Sequence, residues 1–152
     1  TMPFTRADYY VAAPVTVNPS CAPGTGTLYK NVIGDTSSPY PLIDCVANMQ
    51  VVFRLDTNQD GIPDQTVNDI SGLDAYTVKT QVKQVDIYIL AHEGTKDTSY
   101  TSELASSSLT VGPSASLGTT VDLSTLDTTS ATAWKNYRWK VTKLTVKPRS
   151  FY

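Results

Sequence analysis

The sequence has 152 residues, of which 40% are hydrophobic and 17% are charged. This composition predicts one folded domain over residues 1–152 and argues against a disordered chain. The formal net charge of -2 and a pI near 5.2 argue against a nucleic-acid partner. No stretch approaches the roughly 18 apolar residues that a membrane-spanning helix needs. No signal peptide is recognisable, so we expect any targeting segment to lie outside this sequence.

The first half of the sequence predicts two strands separated by turns. The opening segment, which ends in CAPGTG, is dense in proline, glycine and small polar residues, so we expect it to be mostly loop. Residues 27–33 predict a short strand. After the turn-rich residues 34–41, residues 49–55 predict a stronger strand, because alternate apolar side chains share one face.

The second half predicts one clear strand, a long polar region and a last strand. Residues 81–91 alternate apolar and polar side chains, which is typical of a strand with one solvated face. Residues 94–133 are rich in Ser and Thr and hold only short apolar runs, so we expect long exposed connections with one or two edge strands. Residues 136–146 change their apolar face near Thr142 and Lys143, which predicts a β-bulge there.

Helical periodicity is nearly absent from the sequence. We expect at most one short helix, placed before Met49 or inside the Ser/Thr-rich region. The pattern therefore predicts a mainly β domain, built on an antiparallel β-sheet with long Ser/Thr-rich loops.

An acidic loop, DTNQDGIPD, follows the strand at 49–55 directly. Acidic and amide side chains occupy its first, third and fifth positions, and Gly61 permits the sharp turn that calcium loops need. The predicted ligands of a structural Ca²⁺ are the side chains of Asp56, Asn58, Asp60 and Asp64 and the backbone carbonyl of Ile62. An EF-hand places Glu at position 12, where this chain has Val67, so we expect the closing ligand from Asp69, Asp74 or water. The alternative is an ordinary Asx-type turn.

Cys21 and Cys45 are the only cysteines. Two isolated cysteines cannot form the paired Cys-x-x-Cys knuckles of a structural zinc site. We expect one disulfide, with two free buried thiols as the alternative. In the chain-entropy model, closing a loop of about 25 residues stabilises the fold by roughly 3 kcal/mol. A disulfide in turn predicts an oxidising compartment, either the periplasm or the cell exterior.

His92 is the only histidine and stands beside Glu93 at a predicted strand end. A His–Glu pair could serve acid–base chemistry in a hydrolase, but no Gly-x-Ser-x-Gly or Cys–His arrangement accompanies it. A solvated histidine at a strand end is the simpler interpretation. We therefore expect no enzymatic activity.

Five stretches of the sequence stand in a recognisable order: ADYYVA, CAPGTGTLYKNVI, PYPLIDCVANMQVVFRLDTNQDGIPD, VKQVDIYILAHEGTKDTSYT and YRWKVTKLTVKPRSFY. In their order and spacing they resemble the C-terminal part of PilW-like minor pilins, which are assembly proteins of type IV pili and pseudopili. The resemblance spans most of the chain apart from the Ser/Thr-rich region.

The resemblance implies a pilin-like (α+β) protein whose hydrophobic N-terminal helix packs in a filament core and whose β-rich domain is exposed. Such proteins are not enzymes; they initiate, prime or cap an extracellular filament at the cell surface, which they reach through the periplasm. The helix and its peptidase site are not part of this sequence. We expect them to have been truncated or cleaved, or to be supplied by a separate helix-bearing chain.

Two further expectations concern partners. The resemblance implies contacts with other pilin or pseudopilin subunits, and a missing upstream part of the sheet would leave an edge for a partner to cover. The competing hypothesis is a secreted calcium-dependent adhesin or lectin-like module, in which the Ser/Thr-rich loops make the contact.

Overall fold

The computed structural model describes residues 6–14 and 18–148 and confirms a mainly β fold with an antiparallel sheet. In chain order its elements are β1 (Ala7–Ala12), β2 (Gly26–Val32), β3 (Tyr40–Leu55), β4 (Gln65–Val67), α1 (Ala75–Gln81), β5 (Val82–Glu93), β6 (Ser108–Val111), β7 (Thr119–Asp122) and β8 (Arg138–Val146). Among the described residues, no helix is both long and apolar enough to cross a membrane.

Six strands of the described residues form the main sheet, in the order β1-β2-β3-β5-β8, and β4 pairs with the end of β3. The two longest strands, β3 and β5, lie at its centre and pair from Val46↔Ala91 to Leu55↔Val82. Their alternating apolar residues place Val52 and Leu90 on one face and Val51 and Ile87 on the other. Both faces of the central strands are therefore apolar, and each requires a covering layer.

One face of the sheet is covered by residues 94–137, which we call the covering segment. Its strands β6 and β7 form a separate two-stranded sheet in which Leu109 pairs with Val121. The buried core joins side chains of the segment to side chains of the sheet, namely Val52, Tyr88, Leu90, Val111, Leu123 and Trp134.

The expected exposed connections and edge strands are present in this segment, but its apolar residues pack against the sheet. Its short apolar runs alternate with Ser and Thr, so that apolar residues point to the sheet and hydroxyl residues such as Thr110 and Thr120 point to water. The adhesin hypothesis assigned ligand contacts to this segment. In the structure the segment supplies Val111, Leu123 and Trp134, half of the buried core residues.

An ion pair between the partly exposed Lys96 and the buried Asp127 ties the covering segment together. Lys96 Nζ lies 2.7 Å from Asp127 Oδ2, and the Tyr137 hydroxyl donates to the same oxygen at 3.0 Å. Burial alone would raise the pKa of Asp127, but hydrogen bonds from Lys96, Thr129 and Tyr137 outweigh it and hold that pKa well below its usual range. The same burial and the Asp127 contact raise the pKa of Tyr137 to about 12. The carboxylate stays charged and fully bonded inside the fold.

Three expectations are corrected by the structure. In the part of the chain that the structure describes, the one α-helix lies at Ala75–Gln81, between β4 and β5. The Asp74 carboxylate caps it by accepting from the Thr77 N–H. The opening segment includes strand β1. No bulge occurs near Thr142 in β8, which pairs with β5 in unbroken register.

The apolar face of β8 changes because its two ends serve opposite sides of the sheet. Trp139 packs into the core beneath the covering segment, whereas Leu144 lines a groove on the opposite side. A regular strand allows Trp139 to face one side and Leu144 the other, so β8 needs no bulge residue.

Candidate functional site

The face of the sheet opposite the covering segment is an apolar groove of about 690 Å³. We call it the open face. Eleven of its twelve lining residues are uncharged and one, Asp8, is charged. The uncharged residues are Ala7, Tyr9, Leu28, Leu42, Ile43, Met49, Val51, Phe53, Ile87, Ile89 and Leu144.

Part of the open face is buried and part is exposed to water. Leu28 and Ile89 are only 5% and 4% exposed and belong to a second, smaller core. Val51 pairs with Ile87 across β3 and β5, and Ile87 pairs with Leu144 across β5 and β8. Leu144 keeps 48% of its surface exposed and Leu42 the same fraction. Contiguous exposed apolar surface of this kind marks a protein contact or a membrane contact in soluble proteins. The open face therefore has the properties of a docking surface for an apolar partner.

Sequence reasoning missed the open face, although a signal for it was present. Within the predicted strand at 81–91, the apolar residues Val85, Ile87 and Ile89 share one face. In the last strand the apolar positions change face, and Leu144 then lies on the same face as Ile87. This follows because Ile87 of β5 pairs directly with Leu144 of β8.

A polar cluster separates the core from solvent at one end of the covered face. The fully buried Asp86 carboxylate accepts from Arg54 Nε at 2.9 Å and from the Thr145 hydroxyl at 2.8 Å, and Lys143 Nζ lies 3.1 Å away. Burial alone would raise the pKa of Asp86, but these partners and Gln84 hold it far below its usual range. The cluster is fully satisfied and fixes the register of β3, β5 and β8.

The acidic loop turns at two positive-φ residues, Gln59 and Gly61. Asp56 is fully buried, and its carboxylate accepts from the N–H groups of Asp60 at 3.0 Å and Gly61 at 2.9 Å. Lys83 Nζ lies 3.5 Å from the same carboxylate. Asp56, the first predicted ligand, therefore holds the backbone of the loop in place through hydrogen bonds.

The other predicted ligands are spread along the loop and beyond it. The Asp60 carboxylate accepts from the Ile62 N–H at 2.8 Å and from the Asn58 amide at 3.1 Å. Asp64 accepts from the N–H and hydroxyl of Thr57, which hold its pKa below the usual value.

The two residues considered for closing the loop have other local roles. Asp69 accepts from the N–H and hydroxyl of Ser71, and Asp74 caps α1. The local turns are Asx-type, and calcium binding stays a prediction.

The Cys21–Cys45 disulfide is confirmed. It joins the loop before β2 to strand β3.

Next to the disulfide lies His92, which is only 4% exposed, so the expectation of a solvated histidine is wrong. Its ring lies 4.8 Å from the Tyr137 ring and 5.0 Å from the Trp139 ring, and its Nε2 accepts from the Ala22 N–H at 2.8 Å. Glu93, its expected partner, is exposed.

Burial lowers the pKa of His92 below its ordinary value of 6.5. Because the folded pKa lies below the unfolded one, acidification protonates the unfolded chain first. The stability associated with a neutral His92 is therefore complete above pH 6.5 and is lost as the pH falls toward the folded pKa, by up to about 1.4 kcal/mol per pH unit.

We expect urea denaturation between pH 7.5 and 5 to show this decline. The matched control is His92→Gln, which removes the titrating group and should flatten the profile over the same interval. Parallel pH profiles for the two proteins would contradict a buried neutral histidine.

The comparisons with known proteins give one finding. The family model described as type IV pilus-assembly protein W matches residues 8–150. No curated protein and no solved structure matches the chain significantly.

Proposed function

Because this chain belongs to the family of type IV pilus-assembly protein W, we propose that it is a structural subunit of an extracellular filament. In this proposal it is a minor pilin or pseudopilin that acts in assembly, initiation or tip formation. The observation that carries the proposal is the open face, an apolar groove on the side of the sheet that the covering segment leaves bare. A β-domain that worked alone in water would gain nothing from this surface, whereas a subunit that docks through it would.

The occupant that we assign to the open face is the hydrophobic helix of the filament core. An apolar helix fits a groove with few charges, because no charged side chain except Asp8 has to lose its water there. Completing the burial of a half-exposed Leu or Val contributes roughly 1 kcal/mol, so several such side chains together stabilise the contact by several kcal/mol. The helix belongs either to the same polypeptide or to a separate helix-bearing chain.

The disulfide supports the filament setting of the proposal. A bond between Cys21 and Cys45 persists in oxidising compartments. The route through the periplasm to the cell surface supplies that environment.

Deleting the gene should test the function itself. We expect the deletion to reduce or abolish surface filaments counted by electron microscopy, and a plasmid copy to restore them. Wild-type filament numbers in the deletion strain would contradict an assembly role.

We also propose that the acidic loop binds one structural Ca²⁺, through Asp56, Asn58, Asp60, Asp64 and the Ile62 carbonyl, with Asp69 as a further candidate. The support is the EF-hand-like order of oxygen donors and the turn that Gly61 makes at φ 92°. Each carboxylate oxygen that accepts one N–H retains a lone pair for a cation.

Calcium at about a hundred times Kd should raise the free energy of unfolding by about 2.7 kcal/mol. For a domain of this size that corresponds to a melting shift of roughly 5–10 °C. Asp60→Ala should remove the shift without removing the internal bonds of Asp56, whereas Glu103→Gln, at an exposed site on the covering segment, should retain it. Calorimetry that detects neither heat of binding nor a calcium-dependent shift would leave the loop as an ordinary turn.

A further inference from the structure

Three potential metal ligands meet where the disulfide packs against β5. One donor atom each from Cys21, Cys45 and His92 lies within 4.8 Å of the other two. Within residues 6–14 and 18–148, no other group of three His, Cys, Asp or Glu residues meets in this way. Cys45 and His92 are both buried, at 8% and 4% exposure.

We propose that reduction of the Cys21–Cys45 disulfide converts this cluster into a binding site for a thiophilic d¹⁰ cation such as Zn²⁺. Two thiolates and one imidazole are the donors that such ions prefer, and water completes a four-coordinate shell. Around Zn²⁺, bond lengths of about 2.3 Å to sulfur and 2.0 Å to nitrogen place the donors roughly 3.3–3.8 Å apart. All three donors start within 4.8 Å of one another, and reduction frees the two sulfur atoms to separate to the spacing that Zn²⁺ needs.

His92 presents a nitrogen in the correct form for such a site. Its Nε2 accepts from the Ala22 N–H, so the hydrogen-bond network assigns the ring proton to Nδ1. Ala22 directly follows Cys21, so Nε2 faces the backbone next to one of the two cysteines. A cation can take the place of the Ala22 N–H on the Nε2 lone pair without any change of tautomer.

The second ring nitrogen is not a ligand in this arrangement. His92 Nδ1 is buried close to the backbone of Glu93 and Gly94, and it keeps the ring proton while Nε2 binds the cation. The aromatic rings of Tyr137 and Trp139 hold the imidazole in place beside the sulfur atoms.

The redox step balances with a dithiol reductant. The reductant gives two electrons and two protons to the disulfide, becomes a disulfide itself, and leaves two cysteine thiols. Cation binding then displaces both thiol protons, because the thiolate is the ligand. The oxidised protein has no thiolate to offer, so the site exists only in the reduced state.

The metal would take over the role of the disulfide while the protein is reduced. Cys21 lies before β2, Cys45 lies in β3 and His92 lies in β5. One cation therefore links two strands of the sheet and the loop before β2, and its bound form excludes disulfide formation until the cation leaves. This inference concerns the chain before or after oxidation and does not depend on the filament function.

The test uses the purified protein in its oxidised form and after reduction by a phosphine. Zn²⁺ is titrated in competition with a chromophoric chelator. We expect about one Zn²⁺ per reduced protein and none per oxidised protein. His92→Gln should weaken binding at least tenfold, and Glu93→Gln, its exposed neighbour, should bind as the wild type does. Co²⁺ as a second probe should give a thiolate charge-transfer band that Cys45→Ser weakens or removes.

Three results would overturn the inference: no Zn²⁺ bound by the reduced protein, equal binding by the oxidised protein, or unchanged affinity in His92→Gln. Reduction alone could unfold the chain, which circular dichroism would show. Zn²⁺ should then restore the β-sheet spectrum in the wild type and not in His92→Gln. Failure of Zn²⁺ to restore it would count equally against the site.

Discussion

Trp134→Ala should lower the free energy of unfolding by about 3–5 kcal/mol, the range observed for large aromatic side chains removed from cores. Trp134 is 5% exposed and belongs to the core that joins the covering segment to the sheet. Its backbone carbonyl also accepts from the Trp139 indole N–H at 2.9 Å. The truncation leaves a cavity at the centre of the covered face, where both layers lose contacts.

Urea denaturation measures this effect, provided that the slope of the transition is unchanged. Tyr76→Ala is the matched control, because Tyr76 is another aromatic residue but is 72% exposed. It should change stability by less than about 0.5 kcal/mol. A cost below 1 kcal/mol for Trp134→Ala would mean that the Ser/Thr-rich segment does not share a core with the sheet, and the distinction between a covered and an open face would fail.

Leu144→Asp should abolish or strongly reduce filament formation while the isolated domain remains folded. Leu144 is 48% exposed on edge strand β8, so the isolated domain can solvate a carboxylate at this position. A docked apolar helix would bury that charge without a partner, at a cost of several kcal/mol. This cost cancels the roughly similar gain from covering the open face.

Filaments per cell, protein abundance and the melting temperature of the purified domain should be measured together. Thr120→Asp places the same charge on an exposed position of the covering segment and should leave filament numbers unchanged. Leu144→Met retains an apolar side chain of similar volume and should assemble filaments as the wild type does. Normal filament numbers in a Leu144→Asp strain with full protein abundance would contradict the assignment of the open face.

The sequence allows part of the sheet to be predicted, because strand formation leaves a local signal. It misses β1 and β4, and β3 begins at Tyr40 rather than at Met49. The alternation at Val85, Ile87 and Ile89 placed β5 correctly within two residues of its ends. The antiparallel arrangement also agrees with the structure, and β6 and β7 match the one or two edge strands expected within residues 94–133. Helix α1 was missed because seven residues span only two turns and show almost no periodicity.

The candidate sites depend on tertiary contacts that no local pattern reports. The open face joins β1, β2, β3, β5 and β8, and its exposure depends on where the covering segment packs. The burial of His92 likewise follows from Tyr137 and Trp139, which lie more than forty residues further along the chain. The disulfide could be predicted because the sequence contains only two cysteines, Cys21 and Cys45. That His92 lies beside them could not be predicted, because it is far from both in the sequence.

The most direct test of the filament account is thiol accessibility on the open face. Leu144→Cys and the control Thr120→Cys are each introduced into the protein with its native disulfide intact, and a maleimide is added to the purified domain and to assembled filaments. Both positions should react in the purified domain. In filaments, the cysteine at position 144 should be protected and the cysteine at position 120 should still react. Equal labelling of the two positions in filaments would show that no partner covers the open face and would contradict the proposed docking.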